Sequence, residues 1–211
     1  MSAPNIEENR ESPWHRLLLE IARNPLAAFM YAGSLFLTLY YRYVVRCVGR
    51  HSLIMAGSRL YGATANISIG SHCLLKQHVY LRAGPEGAIS IGDRVSINNF
   101  CAFYGYGHIS IGAGCMIAPG VKILTTAHPR MDTANAPQWG TVHKDVTIGE
   151  NVWIGTNAVV LPGTLLGAGA IVGAGAVVTR DIPAGALALG VPARAVSATS
   201  PLRPVDDRAP Q

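Results

Sequence analysis

Histidines and cysteines are the residues of this 211-residue chain that could take part in chemistry. Imidazole is the side chain best suited to accept a proton at neutral pH, although a loop histidine taken alone is more often solvated or a capping residue. The cysteines lack the CxxC spacing of zinc sites and are too few for a disulfide scaffold, which indicates a reducing compartment. The residues considered are His72, His78, His108, His128 and His143, with Cys47, Cys73, Cys101 and Cys115.

Composition narrows the fold class. Hydrophobic residues make up 49% of the chain and charged residues only 14%, which excludes intrinsic disorder. The chain contains 23 glycines, and aromatic residues are only 7%. Many tight turns and small side chains favour a repetitive β architecture over a helical bundle.

The positive charge is concentrated in the N-terminal half. The net charge is +5, and the stretch from Ile21 through Pro85 contains no acidic residue. This stretch is predicted to face phosphates. Membrane headgroups or a phosphorylated substrate are favoured over DNA because no nucleic-acid motif accompanies it, and an ordinary solvated basic face is the alternative. Its basic residues are Arg23, Arg42, Arg46, Arg50, Arg59, Lys76 and Arg82.

We expect a flexible N-terminus over 1–13 and an apolar, basic helical segment over 14–60. Residues 24–41 carry no charge, and the length of this uncharged stretch is at the lower limit for a membrane span. On a continuous helix, Arg42, Arg46 and Arg50 would share one face. Three interpretations stay open: a helix lying on a membrane, a membrane span, or helices packed on their own protein.

A period of six is the most informative pattern. Ile-Ser-Ile-Gly occurs at 67–70, 89–92 and 109–112, and Val-Thr-Ile-Gly at 146–149. Large apolar residues recur every six positions, at Ile69, Leu75, Leu81, Ile91, Ile97, Phe103, Ile111, Ile117, Ile123, Ile148, Ile154, Val160, Leu166, Val172 and Val178. A second, generally small position follows each by four, at Cys73, Val79, Val95, Cys101, Cys115, Val121, Ala127, Val152, Ala158, Thr164, Ala170 and Ala176. This period is neither helical nor a simple strand alternation.

Each interruption of the period follows a third repeat, so three hexapeptides form one coil and every insertion leaves from the same corner. The chain is therefore predicted to coil as a triangular prism of five coils with both positions pointing inward. Cys73, Cys101 and Cys115 then occupy the small interior position, which argues against a role as ligands or nucleophiles.

The largest insertion is predicted to hold the chemistry. Ile123 and Ile148 are 25 positions apart where an unbroken series has six, so 19 residues are extruded within a loop over 124–147. The loop opens with Thr-Thr-Ala-His-Pro at 125–129, and the later motifs are Asn-Val-Trp-Ile-Gly at 151–155, Val-Thr-Arg-Asp-Ile-Pro at 178–183 and Gly-Val-Pro-Ala-Arg at 190–194.

With the period, these motifs resemble the hexapeptide-repeat acyltransferases, in particular the maltose, galactoside and nodulation-type sugar O-acetyltransferases and the acetyltransferases of polysaccharide biosynthesis. The resemblance implies an all-β, left-handed parallel β-helix over 65–195, after the N-terminal helical segment and before a flexible tail at 196–211. It also implies a homotrimer that binds acetyl-CoA between subunits and no metal.

Carried over residue by residue, the resemblance makes His128 the general base for a sugar hydroxyl, which is a poor nucleophile at neutral pH. Asn98 matches the asparagine that positions the acceptor, although a turn residue at a prism corner is equally consistent. The implied donor-site residues are Trp153, the backbone amide near Thr156, small Ala174 and Thr179 beside the pantetheine arm, and Arg180 and Arg194 for the nucleotide phosphates. Simple coil packing would also explain the alanine.

The expected function is acetyl-CoA-dependent O-acetylation of a saccharide hydroxyl, on a surface-polysaccharide or lipid-linked sugar precursor. The expected location is the cytoplasm, at the inner membrane face, because the apolar, arginine-bearing N-terminal segment replaces the polar, acidic helix of the small sugar acetyltransferases. The alternatives are an antibiotic O-acetyltransferase and a non-catalytic trimeric scaffold. A zinc carbonic anhydrase of this fold would need three converging histidines, and its paired histidine spacing is absent.

Overall fold

The computed structural model describes residues 25–128 and 140–196. The segments expected to be flexible, 1–13 and 196–211 apart from Val196, lie outside the described residues. So do the beginning of the expected helical segment and the middle of the extruded loop, 129–139.

The described chain is a helix, α1 (Pro25–Val44), followed by a left-handed parallel β-helix with three flat faces. Strands are numbered in chain order. The first face contains β1 (Cys47–Val48), β4 (Ile67–Ile69), β7 (Ala88–Ile91), β10 (His108–Ile111), β15 (Val146–Ile148) and β18 (Leu165–Leu166). The second face contains β2 (Leu53–Ile54), β5 (Leu74–Leu75), β8 (Ser96–Ile97), β11 (Met116–Ile117), β16 (Trp153–Ile154), β19 (Ile171–Val172), β21 (Leu187–Leu189) and β22 (Arg194–Val196).

The third face contains β3 (Arg59–Gly62), β6 (Tyr80–Ala83), β9 (Ala102–Gly105), β12 (Lys122–Leu124), β17 (Val159–Val160) and β20 (Val177–Val178). The extruded loop begins with β13 (Thr126–Ala127) and ends with β14 (Val142–His143), which pair antiparallel as a hairpin. A short 3-10 turn, Thr64–Asn66, joins the first and second coils. At the C-terminal end of the prism, β22 folds back antiparallel on β21.

The predicted interior is confirmed, with one exception. Every large residue of the six-residue series is buried, and in-register pairs such as Ile91 with Ile111 stack coil on coil. The small positions are buried as well, except Ala127. That residue lies half-buried on β13, because the chain has already left the prism for the hairpin at this point.

The described part of the prism has six complete coils, so the expected number of five was one too low. The additional coil is β1 to β3, which lies in the segment expected to be helical. Its small interior positions are occupied by Ser52 and Ser58. Because serine is polar, the six-residue pattern of apolar residues is not recognisable in this coil. Each buried hydroxyl is satisfied because it donates to a carbonyl of the next coil, Ser52 to Gly70 at 2.6 Å and Ser58 to Lys76 at 2.9 Å.

The helix is therefore shorter than the expected segment 14–60, since it ends at Val44. Beyond it the backbone bonds to the second coil instead, with Arg46 N–H donating to Ile67 at 3.0 Å and Gly49 N–H to Ile69 at 2.8 Å. These ladder bonds satisfy the groups that a longer helix would have paired internally. The expected shared helical face of Arg42, Arg46 and Arg50 was wrong, because only Arg42 belongs to the helix.

The inner face of α1 caps the open end of the prism. The hydroxyls of Ser34 and Thr38 accept from the N–H groups of Ala56 and Ile54 at 3.0 and 2.9 Å. Tyr41 Oη likewise accepts from the third-face strand β3, from an N–H at 3.0 Å. Edge strands leave such donors unpaired, so three helix side chains take the place of a missing coil.

The outer face of α1 is exposed and apolar. No helix in the described ranges is long and apolar enough to cross a membrane. The packing interpretation is correct for the inner face. The exposed large side chains are Leu35, Phe36, Leu39, Tyr40 and Tyr43.

Candidate functional site

The extruded hairpin forms one wall of a cleft of about 540 Å³. The hairpin leaves the prism where the third face meets the first, a place we call the loop corner. Its two strands pair Thr126 with His143 and Ala127 with Val142. The cleft is lined by Tyr104, Tyr106, Leu124, Thr126, His128, Thr141 and His143.

A buried threonine holds the base of this hairpin. The Thr125 hydroxyl donates to the Tyr104 carbonyl at 2.7 Å and accepts from Gly107 N–H at 2.9 Å. The Thr125 carbonyl accepts from Lys144 N–H at 2.8 Å, where the chain returns to the prism. The start of the hairpin is thereby tied to the third coil and its end is tied to its start, which positions the residues between them.

His128 lies at the exposed mouth of the cleft, with its ring orientation set by the opposite side of the loop. Its Nδ1 lies 3.1 Å from the carbonyl oxygen of Gly140. A carbonyl only accepts, so Nδ1 carries the proton and Nε2 is the basic nitrogen of the neutral ring. This tautomer is the one a general base requires when it acts through Nε2.

A second histidine shares the cleft. Nδ1 of His143 lies 3.1 Å from the hydroxyl of Thr126, and the His143 ring stacks on Tyr106 at 5.6 Å between centroids and 15° between planes. From the sequence alone, nothing in the spacing of His143 separated substrate contact from solvent exposure. Its position beside the predicted base makes it a candidate for acceptor contact.

The corner between the second and third faces collects a separate set of predicted site residues, and we call it the Asn98 corner. The Asn98 side-chain amide donates to the Ile117 carbonyl at 3.1 Å. Further along the same corner, Gly175 N–H donates to Thr156 at 2.8 Å, so Thr156 and Ala174 lie on neighbouring coils. Trp153, 45% exposed, lies on the second face beside this corner.

One chain does not bring His128 and Asn98 together. They lie on different corners, separated by the third face. At about 3.3 Å per residue, the six or so residues across that face span about 20 Å. Asn98 does not line the cleft, and its bond to Ile117 is the contact of a corner residue.

The remaining predicted donor residues are also dispersed and exposed. Thr179 and Arg180 follow β20 at the loop corner, two coils beyond the hairpin. Coils of this kind are spaced by about 4.8 Å, which places them about 10 Å further along the prism. Arg194 lies on β22, and its guanidinium donates to the neighbouring Ala193 carbonyl at 2.9 Å.

The interior cysteines are unsuited to catalysis or metal binding. Their thiols donate to carbonyls at 3.0 to 3.1 Å, and burial raises their pKa values, that of Cys101 to about 11 from an ordinary 9.0. A thiol that stays protonated is a poor nucleophile and a poor ligand. Within 25–128 and 140–196, no three His, Cys, Asp or Glu side chains are grouped as metal ligands.

Several cleft residues were not predicted. Tyr104, Tyr106 and Thr141 line the cleft but belong to no motif that we identified in the sequence. The period did contain a signal for two of them. Phe103 points inward, so Tyr104 must point outward on the same strand, and Tyr106 follows at the corner from which the loop leaves.

Comparison with known proteins supports the repeat and the fold. Residues 145–180 match the family model "Bacterial transferase hexapeptide (six repeats)". Nodulation protein L of Rhizobium meliloti (strain 1021) is 45% identical over 107 residues, which cover 50% of this chain and 57% of that protein. The chain therefore matches little more than half the length of this curated relative.

Two solved structures of acetyltransferases are also similar. One is a hexapeptide-repeat acetyltransferase of Vibrio cholerae O1 biovar eltor in complex with acetyl coenzyme A; it is 26% identical, with a TM-score of 0.55 and coverage of 86% of this chain and 82% of that one. The other is a maltose O-acetyltransferase of Clostridium difficile 630, 28% identical, with a TM-score of 0.50 and coverage of 74% and 71%. By its repeats and its fold the chain is a left-handed parallel β-helix of hexapeptide repeats, and it is similar in sequence and structure to acetyltransferases of this kind.

Proposed function

We propose that this protein transfers an acetyl group from acetyl-CoA to a hydroxyl of a saccharide, a surface-polysaccharide or lipid-linked sugar precursor. The observation that carries the proposal is the contact between His128 Nδ1 and the Gly140 carbonyl, which presents Nε2 as a base at the mouth of a cleft. Similarity to an acetyl-CoA-bound acetyltransferase and to a maltose O-acetyltransferase supports the choice of donor and acceptor.

In this reaction His128 Nε2 takes the acceptor proton while the hydroxyl oxygen bonds to the thioester carbonyl carbon. Negative charge then develops on the former carbonyl oxygen, where the backbone amide near Thr156 would donate a hydrogen bond. When the carbon–sulfur bond breaks, the imidazolium returns its proton to sulfur. The products are the acetyl ester and free coenzyme A.

The Asn98 corner fits a narrow, extended donor. Ala174 is exposed there, and a side chain added at Gly175 would have no atom within 4 Å, so the corner surface is open. A pantetheine arm could lie against such backbone, with Trp153 on the adjoining face. Arg180 and Arg194 are exposed cations that remain candidates for the nucleotide phosphates.

The separation of the two corners leads us to propose a homotrimer. The loop corner of one subunit would face the Asn98 corner of its neighbour, so each site would combine His128 from one chain with Asn98, Thr156 and Ala174 from the next. Closed rotational symmetry then completes identical sites. A lone chain would hold only half of each site.

The test is acetyl transfer by purified wild type, His128→Ala and His108→Ala. His108 is an exposed histidine outside the cleft, and it serves as the matched control. We expect His128→Ala to lose about 10²- to 10⁴-fold in kcat while it keeps its fold and its affinity for acetyl-CoA. A His128→Ala enzyme with wild-type turnover would refute the mechanism.

We also propose that the outer face of α1 associates peripherally with the inner membrane face. Phe36 and Tyr43 are 76% and 94% exposed, and the acid-free stretch places Arg42, Arg46 and Arg50 close by. Aromatic and basic residues together suit an anionic lipid interface. Co-sedimentation with anionic vesicles should fall in a Phe36→Ser, Tyr43→Ser double variant, and equal sedimentation of variant and wild type would exclude this role.

A further inference from the structure

A row of aromatic side chains runs along the third face away from the cleft. Tyr61, Tyr80 and Tyr104 point outward from three successive coils, half-buried on a flat sheet. Their rings are in contact, at 4.7 Å between the centroids of Tyr61 and Tyr80 and 5.4 Å between those of Tyr80 and Tyr104. With Tyr106 and Arg82 they form what we call the tyrosine row.

Arg82 joins this row to the cleft. Its guanidinium carbon lies 5.2 Å from the centroid of the Tyr61 ring and 5.1 Å from that of Tyr106. Tyr104 and Tyr106 also line the cleft that contains His128. The row and the cleft are therefore one continuous surface. From the first coil to the hairpin on the fourth, it measures about 14 Å at about 4.8 Å per coil, which is longer than one pyranose ring.

The face that bears the row is also positively charged. Arg59 and Lys122 point outward beside the tyrosines. They lie at the same position across neighbouring strands of the sheet as Tyr80. Among the outward positions of the described third-face strands, these two and Arg82 are cations and none is an acid. Such a face attracts carboxylate or phosphate groups.

We infer that the tyrosine row is a saccharide subsite, which binds the part of an acceptor chain beyond the reacting sugar and favours a chain that carries carboxylate or phosphate groups. Aromatic faces carry partial negative charge and attract the C–H groups on one side of a sugar ring. The inference rests on the proposed function, because it assigns the acceptor of that site. It makes the substrate an anionic oligosaccharide rather than a single neutral sugar.

A direct binding measurement tests the proposed saccharide subsite without any acetyl transfer. Isothermal titration would compare a malto-oligosaccharide, a phosphorylated malto-oligosaccharide and an oligogalacturonate of the same length. We expect the wild type to prefer the two anionic chains, and Tyr61→Ala and Tyr80→Ala each to weaken binding by about tenfold. Arg82→Gln should reduce the preference for anionic chains. Tyr43→Ala, a tyrosine variant on α1, should bind as the wild type does.

A kinetic arm separates the inference from the proposed function. With acetyl-CoA, Tyr61→Ala and Tyr80→Ala, which lie outside the cleft, should raise KM for oligosaccharides and leave transfer to a monosaccharide unchanged. Chain binding without any transfer would support the row and refute the acetyltransferase. Two results would refute the saccharide subsite and leave the acetyltransferase standing. In the first, the enzyme acetylates small sugars but binds no oligosaccharide. In the second, it acetylates small sugars, and Tyr61→Ala and Tyr80→Ala bind oligosaccharides as the wild type does. Loss of the oligomer in both variants would also overturn the subsite, because the row would then be a contact between chains.

Discussion

The ring of His128 and the carbonyl of Gly140 meet across the extruded hairpin, where Nδ1 donates to oxygen at 3.1 Å. The two residues are 12 positions apart, so the tautomer of the proposed base depends on how the hairpin closes. Thr125 holds the base of that hairpin through its hydroxyl. Support for the geometry of the proposed base thus begins three residues before the histidine.

Replacing Thr125 by the isosteric valine should lower activity because it displaces the hairpin that carries His128, and not because Thr125 takes part in the reaction. The change leaves Gly107 N–H without its buried acceptor, at a cost of about 1–3 kcal/mol in the free energy of unfolding. We expect kcat to fall while KM for acetyl-CoA stays constant, measured beside Tm. Thr147→Val, at an exposed position on the first face, is the control. Unchanged kcat in Thr125→Val would show that the hairpin base does not position His128.

Mixed oligomers should test whether sites form between chains. His128→Ala and Ala174→Trp remove the proposed base and block the proposed donor corner, so each variant alone should be inactive. Coexpression would create some interfaces with both wild-type corners, and activity should partly return. If the mixture stays as inactive as the separate variants, while mixed oligomers are shown to form, the site lies within one chain.

Thiol labelling should distinguish Cys47 from the other cysteines. Cys47 is exposed, whereas Cys73, Cys101 and Cys115 are buried inside the prism. At neutral pH a thiol reagent should modify Cys47 rapidly in the native protein and the other three only after denaturation. Rapid native modification of Cys101, whose buried thiol has a pKa of about 11, would contradict its interior position.

The raised pKa of Cys101 also predicts a pH dependence. The unfolded thiol ionises near 9.0 and the folded one near 11, so unfolding releases a proton between these values. The contribution of Cys101 to stability is complete below pH 9 and declines as pH rises towards 11. In urea unfolding across this range, Cys101→Ala should lose less stability with rising pH than the wild type does. Equal slopes would contradict the prediction.

A pair of glycine substitutions should separate close backbone contact from open space. A side chain at Gly87 would collide with the Gly105 carbonyl on the next coil, whereas one at Gly185 would have no atom within 4 Å. Gly185 has a φ of +67°, so alanine there incurs left-handed strain of about 1–2 kcal/mol. Gly87→Ala should destabilise the protein more, by urea unfolding. A smaller loss at Gly87 than at Gly185 would show that the coils separate easily.

The prism could be predicted from the sequence because its repeat is local. Each hexapeptide contributes one large and one small interior residue. The burial of Ile97 and Cys101 can therefore be predicted from their spacing alone, without reference to distant residues. The prediction failed at the first coil, where Ser52 and Ser58 occupy the interior. Their burial depends on carbonyl acceptors in the next coil, and a pattern of apolar residues does not contain that information.

By itself, then, the sequence determined five of the six described coils, the corner from which the loop leaves and the identity of His128 as the candidate base. Only the tertiary structure decided what surrounds that base. Gly140 orients its ring from across the loop, and Tyr61, Arg82 and Tyr104 form one surface because parallel pairing stacks residues about twenty positions apart. It also decided that Asn98 lies on another corner, since a flat face of extended strand separates the two.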